Sequence, residues 1–278
     1  MVRIKDLTFN YNYNNLFNGV CTDFEPGKIY GFLGKNGAGK TTLFKIMCGL
    51  LMADGGECKV FDYQSSSRHP GMLKDLFFIP ESFYLPPVSI KRYEQLHAPF
   101  YESFDSTKFN QMLNELELSK DRLLNTLSYG LKKRFLLAFG LASNCRLLLL
   151  DEPTNGLDIP SKRVLRKMLA SAINKDRTFV IATHQIKEIE NIFDSLVFID
   201  QGKILLDTSI ENISRKLSFR TISLSEDHTT YLYSEEVPGG YSVISKNEAG
   251  EEGPVDIEFL FNAVTGHSDA VIHEIKKG

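Results

Sequence analysis

The segment Gly34-Lys35-Asn36-Gly37-Ala38-Gly39-Lys40-Thr41-Thr42 sets glycines, a lysine and hydroxyls in the pattern GxxxxGK[ST]. Glycines at this spacing let backbone N–H groups converge on phosphate oxygens where side chains would collide. Lys40 has the charge and reach for β- and γ-phosphates, and the Thr41 hydroxyl suits Mg²⁺. A second candidate is the stretch from Arg146 through four leucines to Asp151-Glu152-Pro153. The leucines read as a central strand that delivers two carboxylates to its end. Asp151 there suits Mg²⁺, directly or through water, and Glu152 suits polarising a water that attacks a γ-phosphate. The plainer alternatives are a Gly-rich turn with a chance lysine and a solvated, helix-capping acid pair. Against them stand the complete first motif, between an apolar strand and a helix, and the all-leucine approach to the acids. A nucleoside triphosphate and Mg²⁺ are therefore the implied ligands.

The elements that must position these groups are legible as short apolar runs alternating with helical patterns. KIYGFLG, DLFFIP, CRLLLLD, RTFVIAT and DSLVFID read as strands, and their near-continuous apolar character suits a parallel sheet covered on both faces. TTLFKIMCGLL, KRYEQLHAPFYESF, KFNQMLNELEL, SKRVLRKMLASAI and HQIKEIENIF read as helices, which predicts an α/β fold. The interval from about residue 82 to 143 has helical patterns and no convincing strand, as for a helical insertion. Within it lies TLSYGLKKRF, where Ser128 suits the N-cap of a helix running on through FLLAFGLA. Beyond residue 213 the texture changes to FRTISLS, TTYLYSE and YSVISK, a small antiparallel β appendage closed by a helix at Ile257 to Val264. The expected division is residues 1–213 and 214–278.

Composition bounds the function classes. The chain has 278 residues, 42% hydrophobic and 24% charged, as for a soluble globular protein with a large core. No apolar run approaches the roughly 18 residues that span a bilayer, and the start MVRIKDLTF lacks a signal-peptide layout. A net charge of −3 gives no electrostatic case for sequence-independent nucleic-acid binding. Cys21, Cys48, Cys58 and Cys145 are scattered without CxxC or spaced histidines, which argues against a metal site and for a reduced, cytoplasmic setting.

These motifs share the chain, in order, with Tyr11, the LSYG stretch, Asn155-Gly-Leu-Asp158 and Thr183-His184. Across roughly Val2 to Ser209 the sequence resembles an ABC-type ATPase cassette. The resemblance implies a P-loop NTPase core with an antiparallel strand start. It implies that Tyr11, with Tyr13 as second choice, stacks on adenine. Glu81 falls where the family has the glutamine that meets Mg²⁺ and the attacking water, and FIPE resembles exporter-type cassettes. Asp158 belongs to a loop that communicates across a dimer and also suits a helix cap. His184 is implied to contact the γ-phosphate and to orient Glu152 and the water. Ser128 and Gly130 are implied to face the γ-phosphate bound by a second cassette. Two positions depart from the family pattern. Tyr129 replaces a glycine and adds bulk at that contact, and Leu131 replaces a glutamine and removes an amide. Both bear on turnover and closure, not on ATP binding. The expected role is the ATPase subunit of a multi-chain transporter, exporting through separate membrane subunits and forming a homodimer on ATP. The rivals are a soluble ATPase of this type acting on ribosomes or DNA, and a regulatory ATP binder with little turnover.

Overall fold

The computed structural model describes residues 1–12, 14–248, 250, 252–266 and 268–277 of the chain. Its strands are β1 (Val2–Tyr11), β2 (Asn14–Phe24), β3 (Ile29–Leu33), β4 (Gly55–Val60), β5 (Tyr63–Gln64), β6 (Leu76–Ile79), β7 (Leu147–Asp151), β8 (Thr178–Thr183), β9 (Ser195–Asp200), β10 (Lys203–Ser209), β11 (Leu217–Ser223), β12 (Tyr233–Val237) and β13 (Gly240–Lys246). Its helices are α1 (Lys40–Met47), α2 (Pro70–Leu73), α3 (Ile90–His97), α4 (Ser106–Glu115), α5 (Tyr129–Ala142), α6 (Ile159–Ala172), α7 (Ile210–Lys216), α8 (Ile257–Thr265) and α9 (Asp269–Lys276).

A six-stranded sheet in the order β10-β9-β3-β8-β7-β6 forms the centre, parallel except for the edge strand β10. Strands β3, β7 and β8 are buried at every position. That is why IYGFL, LLLLD and TFVIAT run apolar without alternation. An antiparallel sheet, β2-β1-β4-β5, and a smaller one, β11-β13-β12, flank it. The register aligns Leu33 with Thr183, Asp151 with Ala182, and Ile79 with Leu150. Four neighbouring parallel strands therefore end at one edge, where open α/β sheets place their ligands.

Between residues 82 and 143 the described residues hold helices and one isolated bridge, Ser89 to Leu123, as expected of a helical insertion. Its core centres on Phe139, whose ring lies 4.9–6.1 Å from those of Phe77, Tyr93, Tyr101, Phe104 and Phe109. Truncating it leaves a cavity that these rings cannot all close. Phe139→Ala is expected to cost about 3–5 kcal/mol in urea unfolding; a loss under about 1 kcal/mol would contradict that packing.

The segment after residue 213 is a three-stranded antiparallel sheet with α8 and α9. It shares one core with the main sheet: Leu217, Ile244, Leu260 and Val264 pack in the same cluster as Ile29, Phe198 and Leu206. No helix of the described residues is long and apolar enough to cross a membrane.

Several expected elements differ in extent or kind. HQIKEIENIF is two 3₁₀ turns, at Ile186–Glu188 and Glu190–Ile192, and not an α-helix. Ile186, Ile189 and Ile192 all pack on the core, and their spacing of three matches the 3₁₀ repeat. The helix in TTLFKIMCGLL stops at Met47. Gly49 is left-handed (φ 67°), its N–H bonds the Ile46 carbonyl, and the Leu50 N–H bonds that of Lys45, a Schellman ending. The helix in KRYEQLHAPFYESF ends at His97: Ala98 keeps helical backbone, but Pro99 has no N–H to continue the α-helical bonding, and the chain passes into a 3₁₀ turn at Ala98–Phe100. In TTYLYSE, Asp227 accepts from the Thr229 N–H and hydroxyl, which holds Thr229–Thr230 in a turn and delays the strand to Tyr233.

Candidate functional site

The loop after β3 is shaped by close approach. A Cβ on Gly34 would lie 2.5 Å from the Ile199 carbonyl oxygen. Gly39 is left-handed at φ 106°, and a Cβ there would meet the Phe17 ring at 2.5 Å. Gly39 is also the N-cap of α1 and carries no side chain to close its first amides, so those N–H groups are left without a side-chain cap, as suits donors for an anion. Lys40 Nζ donates to the carbonyl oxygens of Gly34 at 2.6 Å and Lys35 at 3.3 Å, and lies 3.7 Å from Glu152 Oε1. Burial lowers its pKa, opposed by the carboxylates of Glu152 and Asp151.

Opposite, β7 delivers the acids. Thr41 Oγ1 donates to Asp151 Oδ2 at 2.6 Å, while the buried Asp151 Oδ1 has no hydrogen-bond partner. Burial raises the Asp151 pKa and the Glu152 and Glu81 charges add to it, against the Thr41 hydrogen bond. An oxygen donor short of a partner, beside a hydroxyl and in a site that penalises its negative charge, fits a hard divalent cation such as Mg²⁺. Glu152 is only 5% exposed, which removes the solvated-pair alternative. Its Oε2 accepts from Thr183 Oγ1 at 3.0 Å. Its Oε1 accepts from the His184 N–H at 3.1 Å and lies 2.7 Å from His184 Nδ1. The backbone of Glu152 is left-handed (φ 46°), a conformation that a non-glycine residue holds only where its surroundings enforce it.

Lys40, Thr41, Asp151 and Glu152 share one cavity of about 420 Å³, lined by residues 36–42 with Tyr11, Leu16, Glu81, Asp151 and Glu152; Thr183 and His184 do not line it and join it through Glu152. A larger cleft of about 740 Å³, by α7 and residues 252–257, holds none of them; chemistry, not size, locates the site. Tyr11 ends β1, is 45% exposed, and sets its hydroxyl 3.4 Å from Thr42 Oγ1. Tyr13 lies outside the described residues. Glu81 follows β6 and its Oε1 accepts from Asn155 Nδ2 at 2.8 Å.

Ser128 caps α5 as expected, accepting from the Leu131 N–H at 3.3 Å. Ser128 and Gly130 line no part of the cavity that holds Lys40. Asp158 caps α6, accepting from the Ser161 N–H at 2.9 Å, and those contacts with Ser161 lower its pKa. Tyr129 turns back onto its own chain: its ring stacks on Phe83 (5.6 Å), would crowd a Cβ at Gly156, and its hydroxyl donates to the Glu81 carbonyl at 2.5 Å. Leu131, partly buried, packs against the core, an apolar role at the position where the family pattern has an amide. Sequence reasoning gave no role to Thr183 as a Glu152 partner, to the Asn155 amide, or to Lys133. A hydroxyl before His184 was visible, but its target depends on pairing β7 with β8.

Comparison with known proteins identifies the family. The family described as ABC transporter matches residues 17–155. The lantibiotic transport ATP-binding protein SrtF of Streptococcus pyogenes is 31% identical over 212 residues, 74% of this chain and 90% of that protein. The bacitracin transport ATP-binding protein BcrA of Bacillus licheniformis is 26% identical over 279 residues, covering 95% of this chain and 90% of its own. A solved ATP binding subunit of an ABC transporter superposes with a TM-score of 0.70 at 22% identity, over 77% of this chain and 92% of that one. At that identity the structural likeness speaks to the fold.

Proposed function

Since this chain belongs to the ABC transporter ATP-binding family, we propose that it is the ATPase subunit of a multi-chain exporter, working as a pair of cassettes beneath separate membrane permease subunits. One observation carries the reading: parallel strands bring Lys40, Thr41, Glu81, Asp151 and Glu152 into one cavity, with His184 bonded to Glu152. Lys40 exchanges the Gly34 carbonyl for the β- and γ-phosphates of ATP. Thr41 and Asp151, with Glu81, are the residues that would hold Mg²⁺, whose chemistry there is to offset phosphate charge. Glu152 takes the proton of the attacking water at a carboxylate oxygen, and Thr183 and His184 fix the direction of that carboxylate. Tyr11, exposed at the rim, stacks on the adenine.

Ser128 and Gly130 stand at a helix start away from their own cavity, and this supports their meeting the nucleotide of a second copy, with Asp158 beside that contact. Residues 1–213 form the cassette, residues 82–143 with the Glu81 loop its permease-docking part, and residues 214–278 an accessory unit. The FIPE loop supports export, and the place of action is the cytoplasmic face of the cell membrane. The test is purification of the tagged full chain from detergent-solubilised membranes. An integral membrane subunit with several bilayer-spanning segments is expected to co-elute. Co-elution with ribosomes or nucleic acid in its place would overturn the transport role.

A further inference from the structure

Helix α5 carries a lysine that the chemistry above does not use. Lys133 is 2% exposed, while Lys132 and Arg134 beside it are partly open to solvent. Its ammonium donates to the Glu152 carbonyl at 2.5 Å and to the Asn155 carbonyl at 3.0 Å, and lies 5.4 Å from the centre of the Tyr129 ring. Keeping an ammonium out of water is costly, and burial pushes its pKa down to about 8. A group held at that cost, and spent on two carbonyls of one turn, fixes the turn.

That turn is the one that carries the proposed base. The Glu152 N–H donates to the Ala182 carbonyl at 2.8 Å, and the Glu152 carbonyl accepts from Lys133 and from the Asn155 N–H at 3.2 Å. The peptide planes on both sides of the left-handed Glu152 Cα are thus held, one by β8 and the other by α5. Only with both fixed does the side chain leave the backbone toward Thr183 and His184. Tyr129 lies one helical turn before Lys133 on the same face of α5, and its hydroxyl holds the Glu81 carbonyl. The Asn155 amide closes the ring by reaching Glu81 Oε1.

We infer that Lys133 is a positioning residue for Glu152, through which the Ser128–Gly130 end of α5 is tied to the base of its own subunit. The inference rests on the reading of Glu152 as the base. Its mechanism is geometric: without the ammonium, the Glu152 carbonyl loses a buried donor, the strained turn relaxes, and the carboxylate leaves its productive direction. Lys40 and the loop after β3 are untouched, so ATP binding persists.

The test uses the full chain as wild type, Lys133→Met, Lys133→Gln and Glu152→Gln, with steady-state ATP turnover, ATP affinity and melting temperature measured on each. Lys133→Met is expected to lower kcat roughly 10- to 100-fold while ATP affinity stays within about twofold. Lys133→Gln keeps an N–H donor one bond short and is expected to recover about fivefold of that loss. A Lys133→Met kcat within about twofold of wild type, a loss shared between kcat and affinity, or no recovery in Lys133→Gln overturns the inference. If neither variant folds, the ammonium serves the fold and the inference falls. A wild type without turnover, or a Glu152→Gln variant at the native rate, would instead remove the reading of the base itself.

Discussion

Glu152→Gln is expected to lower ATP turnover by roughly 10²- to 10⁴-fold, the range a general base contributes, while ATP binding is kept. The amide has the shape of the carboxylate: its oxygen in the Oε1 position still accepts from the His184 N–H, and its NH₂ in the Oε2 position donates to the Thr183 hydroxyl, so the site keeps its form. What it loses is a basic oxygen to take the proton of the attacking water. It also loses one negative charge 3.7 Å from Lys40 and close to where a triphosphate would sit. Repulsion between that charge and the phosphates is removed, so affinity is held or improved. An ATP-loaded pair that closes and fails to hydrolyse then accumulates, visible in size-exclusion chromatography as an ATP-dependent dimer. Turnover at the native rate would remove Glu152 as the base.

The second large effect belongs to Lys40. Lys40→Ala is expected to weaken ATP binding by roughly 10²-fold or more, about 3 kcal/mol, the scale of charge-assisted hydrogen bonds in a partly dry site. The variant also leaves the Gly34 carbonyl without its 2.6 Å donor and the Glu152 carboxylate without its nearest ammonium. Both groups are buried, so a lower melting temperature accompanies the lost affinity. Titration with a fluorescent ATP analogue separates the two effects, because Glu152→Gln breaks the same ion pair yet keeps the ammonium for phosphate. Equal affinity in Lys40→Ala and wild type would show that the loop amides alone hold the nucleotide.

How much was legible in advance follows from the range of the interactions involved. The loop from Gly34 to Thr42, the strand that leads to Asp151 and Glu152, and the Ser128 cap are local codes. Each depends on backbone freedom, apolar runs or a side chain reaching its own N–H three residues on, and adjacent residues determine all three. The 3₁₀ turns after His184 were not legible, because an apolar spacing of three or four reads as helix until the core that receives Ile186, Ile189 and Ile192 is known. Tyr129 read only as bulk at an interface, since its sequence neighbours give no hint that its ring stacks on Phe83 and its hydroxyl reaches the Glu81 carbonyl. Lys133 was one of three basic residues in a row. Only the packing of α5 against the turn after β7 singles it out for burial. The sequence by itself determined a GxxxxGK[ST] loop suited to a nucleoside triphosphate and two acids suited to its hydrolysis. The strand order β9-β3-β8-β7-β6 decided the rest. Pairing across the sheet joins residues 34, 81, 151 and 184 at one edge, and such pairing is set by burying whole apolar strands together, not by any residue alone.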